Sequence, residues 1–99
     1  MSVYVYESHV GFLYTSDDSI PFDELYCEQC GDSDWEIGAF DTFEDFFRYY
    51  ADNIYVDDGD GGYYLDVVMS DVGCAFDDNL TREEAASIVR TERKWRTNS

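Results

Sequence analysis

Four side chains in this sequence have the chemistry to hold a borderline-soft metal ion: Cys27, Cys30, Cys74 and His9, the only histidine. Cys27-Glu28-Gln29-Cys30-Gly31 has the two-residue spacing that lets both thiolates reach one tetrahedral Zn²⁺. Gly31, straight after the second cysteine, lets the chain fold back so that backbone N–H groups point at the sulfurs. One such pair is half a site. His9 and Cys74 complete a Cys₃His set that uses every candidate in the chain, and a closed four-ligand site is structural, not catalytic. Two other readings stand beside it. A CxxC can be a redox pair, but that usually places the first cysteine at a helix N-terminus, and Gly31-Asp32-Ser33-Asp34 is turn chemistry. The thiols can also carry no metal, with Cys74 a small buried hydrophobe between Gly73 and Ala75 and His9 a surface residue. An odd number of cysteines argues against a disulfide framework and for a reducing compartment.

The elements that must position these residues are partly readable. Asp41-Thr42-Phe43-Glu44 predicts a helix start, with Asp41 as N-cap and Glu44 as its capping-box partner. Phe43, Phe46, Phe47, Tyr50 and Ile54 then recur at spacings of three and four, giving one aromatic face for the core, with Asp45, Arg48 and Asp52 on the wet side. Thr81-Arg82-Glu83-Glu84 is a second capping box, opening a helix to about residue 93 with Ala85, Ile88 and Val89 as its apolar stripe. Residues 3–6, 10–14 and 35–40 read as strands. Residues 63–69 read as the clearest strand, because Tyr63, Leu65, Val67 and Met69 alternate. Asp57-Asp58-Gly59-Asp60-Gly61-Gly62 is the turn before it. The expected fold is α+β: a small, mostly antiparallel sheet covered by one or two helices, with zinc pinning the irregular segment 15–34 to the sheet.

The chain has 99 residues, enough for one domain over 1–99, with a basic helix and tail over 82–99. Its folded surface should be about 5,800 Å², with about two-thirds of the unfolded surface buried. No apolar run approaches membrane-spanning length, and the opening residues have neither a basic nor an apolar leader region. A soluble, intracellular protein with no membrane partner is expected.

Charge is the strongest compositional feature. Twenty-three Asp and Glu oppose six Lys and Arg, for a net charge of −17. Residues 1–81 hold 20 acids and one base, Arg48, while residues 82–99 hold three acids and five bases. Such a field repels nucleic acid and anionic membranes and steers the chain toward basic surfaces. Arg90, Arg93, Lys94 and Arg96 in the tail complement a helix C-terminus and are held near the acidic body. Trp95 either packs back or stays exposed. The acids gather in turns, where they are available to a partner; Asp17, Asp18, Asp57, Asp58, Asp60, Asp77 and Asp78 are the candidate contact residues. No nucleophile elbow, phosphate loop or metalloprotease helix is present. The 57–62 loop fails the EF-hand template, because position one would be Val56 and position twelve Val67. A non-enzyme is expected, and a metal-dependent enzyme using acidic loops is the lesser alternative.

Tyr6-Glu7-Ser8-His9, then Tyr26-Cys27-Glu28-Gln29-Cys30-Gly31-Asp32-Ser33-Asp34-Trp35, then Phe40-Asp41-Thr42-Phe43-Glu44-Asp45-Phe46 resemble small acidic phage-encoded proteins. Within that group, size, acidity and the zinc-type cysteines resemble type II-A anti-CRISPR proteins, which inhibit Cas9 by binding it. The likeness covers roughly the first half of the chain. It implies a partner, Cas9 or its guide RNA complex, bound in the cytoplasm of a bacterial host through an acidic surface that blocks DNA loading or cleavage. Such inhibitors act either by mimicking DNA in a basic groove or by binding elsewhere and blocking DNA loading or conformational change. The charge alone fits another basic partner as well: a restriction enzyme, a toxin or a transcription factor.

Overall fold

The computed structural model describes residues 2–56 and 62–98. In chain order its elements are β1 (Val3–Glu7), β2 (Leu13–Ser16), α1 (Phe22–Leu25), β3 (Tyr26–Cys27), β4 (Asp32–Ser33), β5 (Trp35–Phe40), α2 (Phe43–Tyr50), β6 (Ile54–Tyr55), β7 (Tyr63–Tyr64), α3 (Leu65–Val72) and α4 (Arg82–Asn98), with 3₁₀ turns at Ala51–Asn53 and Gly73–Ala75. The fold is α+β, with β1 central in an antiparallel sheet of order β2-β1-β5. Two ribbons flank it: β3 with β4, antiparallel, and β6 with β7, parallel.

Alternation along β1 divides the molecule into layers. Val5 joins the main apolar core, while the next residue, Tyr6, is equally buried but stands on the other face. There the Tyr6 ring stacks on Tyr14 at 5.4 Å, and its hydroxyl accepts from Ile20 N at 2.7 Å. Segment 17–34 therefore covers one face of the sheet, and the helices cover the other. The register shifts between Val5 and Tyr6, which pair with Gly38 and Glu36, so Ile37 is the bulged residue and turns toward the core.

On the helical side, Phe43, Phe46, Phe47 and Tyr50 of α2 are buried as the 3.6-residue period requires. Their rings interlock with Phe40 and Phe76: Phe43 stacks on Phe76 at 5.3 Å, and Phe46 meets Phe40 edge-on at 5.3 Å. Ala85, Ala86 and Val89 of α4, with Leu65, Val68 and Val72 of α3, complete the core. Gly73 lets the turn after α3 lie against Phe43, since a Cβ there would sit 3.2 Å from that ring.

Four expectations are corrected. Residues 63–69 are a strand only at Tyr63–Tyr64; Leu65–Val72 is helical. Leu65 and Met69 fit either period, but Val67 is 44 % exposed whereas Val68 and Val72 are fully buried, so the helical spacing prevails. The sheet thus gains a third long helix. The N-cap of α2 is Thr42, not Asp41: Thr42 Oγ1 accepts from Asp45 N at 3.0 Å, while Asp41 accepts from Ser2 Oγ. That helix ends at Tyr50, with Ile54 in β6. β2 starts at Leu13, because residues 9–11 form the turn.

The capping box at α4 forms as expected, with Glu84 N to Thr81 Oγ1 and Thr81 N to Glu84 Oε1, both 3.1 Å. The helix expected to end at about residue 93 instead runs to Asn98, so the basic residues read as a tail belong to α4 and reach neighbouring elements with their side chains. Arg93 donates to the Ala51 carbonyl at 2.8 Å and to that of Ile54, while Arg96 bonds Asp52 at 2.7 Å and the Arg48 carbonyl. These cations serve the last carbonyls of α2 and of the turn that follows it, and Arg96 also lies in the last turn of its own helix. Trp95 stays 67 % exposed. No helix among the described residues is long and apolar enough to cross a membrane.

Candidate metal centre

His9 sits in the turn between β1 and β2. Ser8 N donates to the Phe12 carbonyl at 2.7 Å and Gly11 N to the Ser8 carbonyl at 3.0 Å, which closes that turn tightly. Cys27 ends β3, and Cys30 lies in the turn that leads to β4. Gly31 completes the turn with φ +73, a left-handed conformation that glycine adopts without steric cost, and its N–H donates to the Cys27 carbonyl at 2.9 Å. This is the fold-back that the cysteine-glycine pattern predicts.

The ligand atoms of His9, Cys27 and Cys30 all lie within 4.8 Å of one another. A tetrahedral Zn²⁺ with ordinary Zn–S and Zn–N bonds needs ligand atoms about 3.3–3.8 Å apart. An approach of about an ångström closes the three on one ion. The local electrostatics fit as well. Backbone N–H of Cys30, the Cys30 thiol and then backbone N–H of Gln29 donate to the Cys27 sulfur and hold its pKa below the ordinary thiol value. Cys30 is pushed up, chiefly because its proton bonds Cys27. Cys27 is therefore the more acidic thiol of the pair, and peptide N–H groups favour its charged form as they would at a metal-bound sulfur.

A carboxylate orients the imidazole. His9 Nδ1 donates to Asp34 Oδ1 at 2.6 Å and His9 N donates to the same oxygen at 2.9 Å. The other carboxylate oxygen accepts from Tyr14 OH at 2.6 Å. With Nδ1 occupied, Nε2 remains for the ion, the carboxylate–histidine arrangement that fixes tautomer and ring angle at metal sites. The Asp34 hydrogen bond raises the His9 pKa, and the Tyr14 hydroxyl is the main cause that lowers that of Asp34. Tyr14 is pushed up by burial and by Asp34. Asp34 N donates to the Leu25 carbonyl, which ties the carboxylate to the segment that carries Cys27.

Cys74 does not join this group. It is exposed in the Gly73–Ala75 turn, beside a shallow recess lined by Phe43, Met69, Asn79 and Leu80. The reason is α3: because residues 65–72 are helix and not strand, they carry Cys74 into the helical layer, while His9, Cys27 and Cys30 belong with the segment on the opposite sheet face. Asp34 and Tyr14 are the site residues that sequence reasoning missed. Their roles depend on contacts 25 and 20 residues apart, which no local pattern announces.

Among the predicted contact acids, Asp17, Asp18, Asp77 and Asp78 are all exposed. Asp78 also serves the fold, since its carboxylate accepts from Phe43 N at 3.1 Å and Glu44 N at 3.2 Å and so caps α2 from a distant loop. Asp57, Asp58 and Asp60 lie outside the described residues. The site is read from its own geometry, since no protein family, curated protein or solved structure matches the chain.

Proposed function

We propose that this chain is a non-catalytic acidic binding module, stapled by a Zn²⁺ that His9, Cys27 and Cys30 would hold with the fourth position outside that set, that inhibits type II-A Cas9 by occupying a basic surface meant for nucleic acid. The observation that carries the reading is how the charge is displayed. Of the 20 described acids, 16 are exposed and none is buried. The bases do little to offset them where it matters: Arg48, Arg82 and Arg96 pair with Glu44, Asp66 and Asp52, all in the helical half. Residues 1–41 hold ten acids and no Lys or Arg.

The described residues extend 41 × 28 × 25 Å. Duplex DNA 41 Å long carries about 24 phosphate charges at one per ~1.7 Å. A net charge of −17 on a body of that length is roughly two-thirds of the duplex value. Cas9 holds its guide–target duplex in a positively charged channel and recognises it by backbone and shape, so a rigid anionic body competes there. The choice of Cas9 among basic partners rests on the likeness in size, acidity and zinc-type cysteines to type II-A anti-CRISPR proteins. The zinc staple is supported by the ligand spacing, the N–H groups aimed at Cys27 and the Asp34-oriented imidazole.

The test is cleavage of a target duplex by guide-loaded Cas9, with the protein added before the DNA. Inhibition at near-stoichiometric amounts, weakening as salt rises, is the expected result. Unimpaired cleavage by several Cas9 orthologues would remove Cas9 as the partner and return the chain to an acidic module for another basic protein.

A further inference from the structure

The two segments that meet at the metal-ligand cluster each carry a pair of exposed apolar side chains. On the β1–β2 turn these are Val10 and Phe12, 66 % and 48 % exposed; on the α1–β3 segment they are Phe22 and Tyr26, 69 % and 44 % exposed. Val10 adjoins His9 and Tyr26 adjoins Cys27 along the chain, so the two pairs flank a cluster whose ligand atoms lie within 4.8 Å of one another. Phe22 packs against Tyr26 with ring centroids 6.3 Å apart, and Phe12 leans on Tyr14 at 5.9 Å. Both aromatic anchors are therefore backed by a neighbour and present fixed faces. Soluble chains rarely collect large apolar side chains in one place unless something covers them.

The surroundings say what the cover is. Asp17, Asp18, Asp23, Glu24, Glu28 and Asp32 are all exposed in the same part of the chain, and residues 1–47 contain no Lys or Arg. A second copy would set two bodies of charge −17 face to face, and nucleic acid or an anionic membrane would be repelled likewise. We infer that Val10, Phe12, Phe22 and Tyr26 form the docking surface for a basic amphipathic segment of a partner protein, assembled when a metal ion ties the β1–β2 turn to the cysteine turn. Apolar side chains of the partner seat on the aromatic anchors at the centre, and its Lys and Arg meet the acidic rim. This inference rests on the reading of the chain as an acidic binding module and adds which of its surfaces binds.

The probe is an amphipathic helical peptide of Lys and Leu, titrated into the full-length zinc-loaded protein beside poly-lysine of the same length. The amphipathic peptide should bind more tightly and shift the amide resonances of Val10, Phe12, Phe22 and Tyr26. A Phe12→Ser/Phe22→Ser double variant should weaken it by roughly ten- to hundred-fold, the scale of lost interface anchors. A Tyr64→Ser/Trp95→Ser control, changing side chains that are 68 % and 67 % exposed elsewhere, should bind as the wild type does. Zinc removal should weaken binding as the double variant does. The inference is overturned if poly-lysine binds as tightly, if the double variant keeps wild-type affinity with an unchanged circular dichroism spectrum, or if binding survives full zinc removal. Cas9 inhibition is scored separately. Peptide binding lost in the double variant, with Cas9 inhibited by no form, leaves this surface standing and removes only the Cas9 partner.

Discussion

Segment 8–34 and the helical half of this chain are held together by different forces. From residue 8 to residue 34, only Ser8 and Leu13 are buried, and the segment is fastened by the Tyr6, Tyr14 and Asp34 hydrogen bonds and the cysteine turn. Between residues 40 and 51, six side chains are buried in one interlocked, mostly aromatic cluster, and all six Lys and Arg lie in α2 or α4. Apolar burial suffices for the second region. The first has little to bury and is held by polar geometry around the candidate ion site of His9, Cys27 and Cys30. A net charge of −17 sharpens the contrast, because residues 1–47 contain no Lys or Arg.

The largest effect that separates the regions should come from the core. Phe46→Ala removes a fully buried ring and is expected to cost about 3–5 kcal/mol, a large fraction of the stability of a small domain. Denaturant unfolding followed by circular dichroism measures this, and both regions should melt together. Metal removal should do the opposite. Chelation of the zinc-loaded protein is expected to shift the amide signals of residues 8–34 while the helical ellipticity is retained; collapse of both regions at once would erase the distinction.

How legible each region is in the sequence follows from the same physics. Apolar period and capping chemistry are local, so the α2 face from Phe43 to Tyr50 and the Thr81–Glu84 box are readable from the residues alone. The cysteine turn is readable too, since Cys27, Cys30 and Gly31 are adjacent. The misreadings arise where two patterns overlap or where a distant group decides. Leu65 and Met69 satisfy both a strand and a helix, and only the burial of Val68 and Val72 against α4 selects the helix. Thr42 and Asp41 are both good N-caps, and the choice depends on Asp78, 35 residues from Phe43, and on Ser2 at the other end of the chain. Counting ligands by elimination chose Cys74, whereas the fold supplies Asp34 as an orienting group and leaves Cys74 elsewhere.

A smaller effect probes the polar half. Asp34→Asn keeps every metal ligand but weakens the acceptor that orients His9, and zinc affinity should fall by about 10–100-fold in competition with a chelator. Equal affinity would mean that the Asp34 contact does not act on the ion. At the α2 terminus, Asp78→Ala and Thr42→Ala should each cost about 0.5–2 kcal/mol in denaturant unfolding, and Asp41→Ala much less. The reverse order would restore Asp41 as the cap.

The smallest effect is a pH dependence that belongs to the helical side. Burial pushes the Tyr50 pKa up to about 12, and burial with the Glu7 hydrogen bond raises that of Tyr63. Both folded values exceed the unfolded one of about 10, so this contribution to stability is complete below about pH 10 and is lost as pH rises through the folded values. Denaturation midpoints measured from about pH 9 to about pH 12 should fall, and Tyr63→Phe should fall less steeply.

The central claim is that a three-residue centre on His9, Cys27 and Cys30 holds an ion and shapes segment 8–34. The most direct measurement is the zinc content of the purified wild type beside the Cys27→Ser and Cys74→Ser variants, all three checked for folding by circular dichroism. The account predicts roughly one zinc per chain in the wild type and in Cys74→Ser, and close to none in Cys27→Ser. A folded, metal-free wild type, or zinc lost with Cys74 and retained without Cys27, would contradict it.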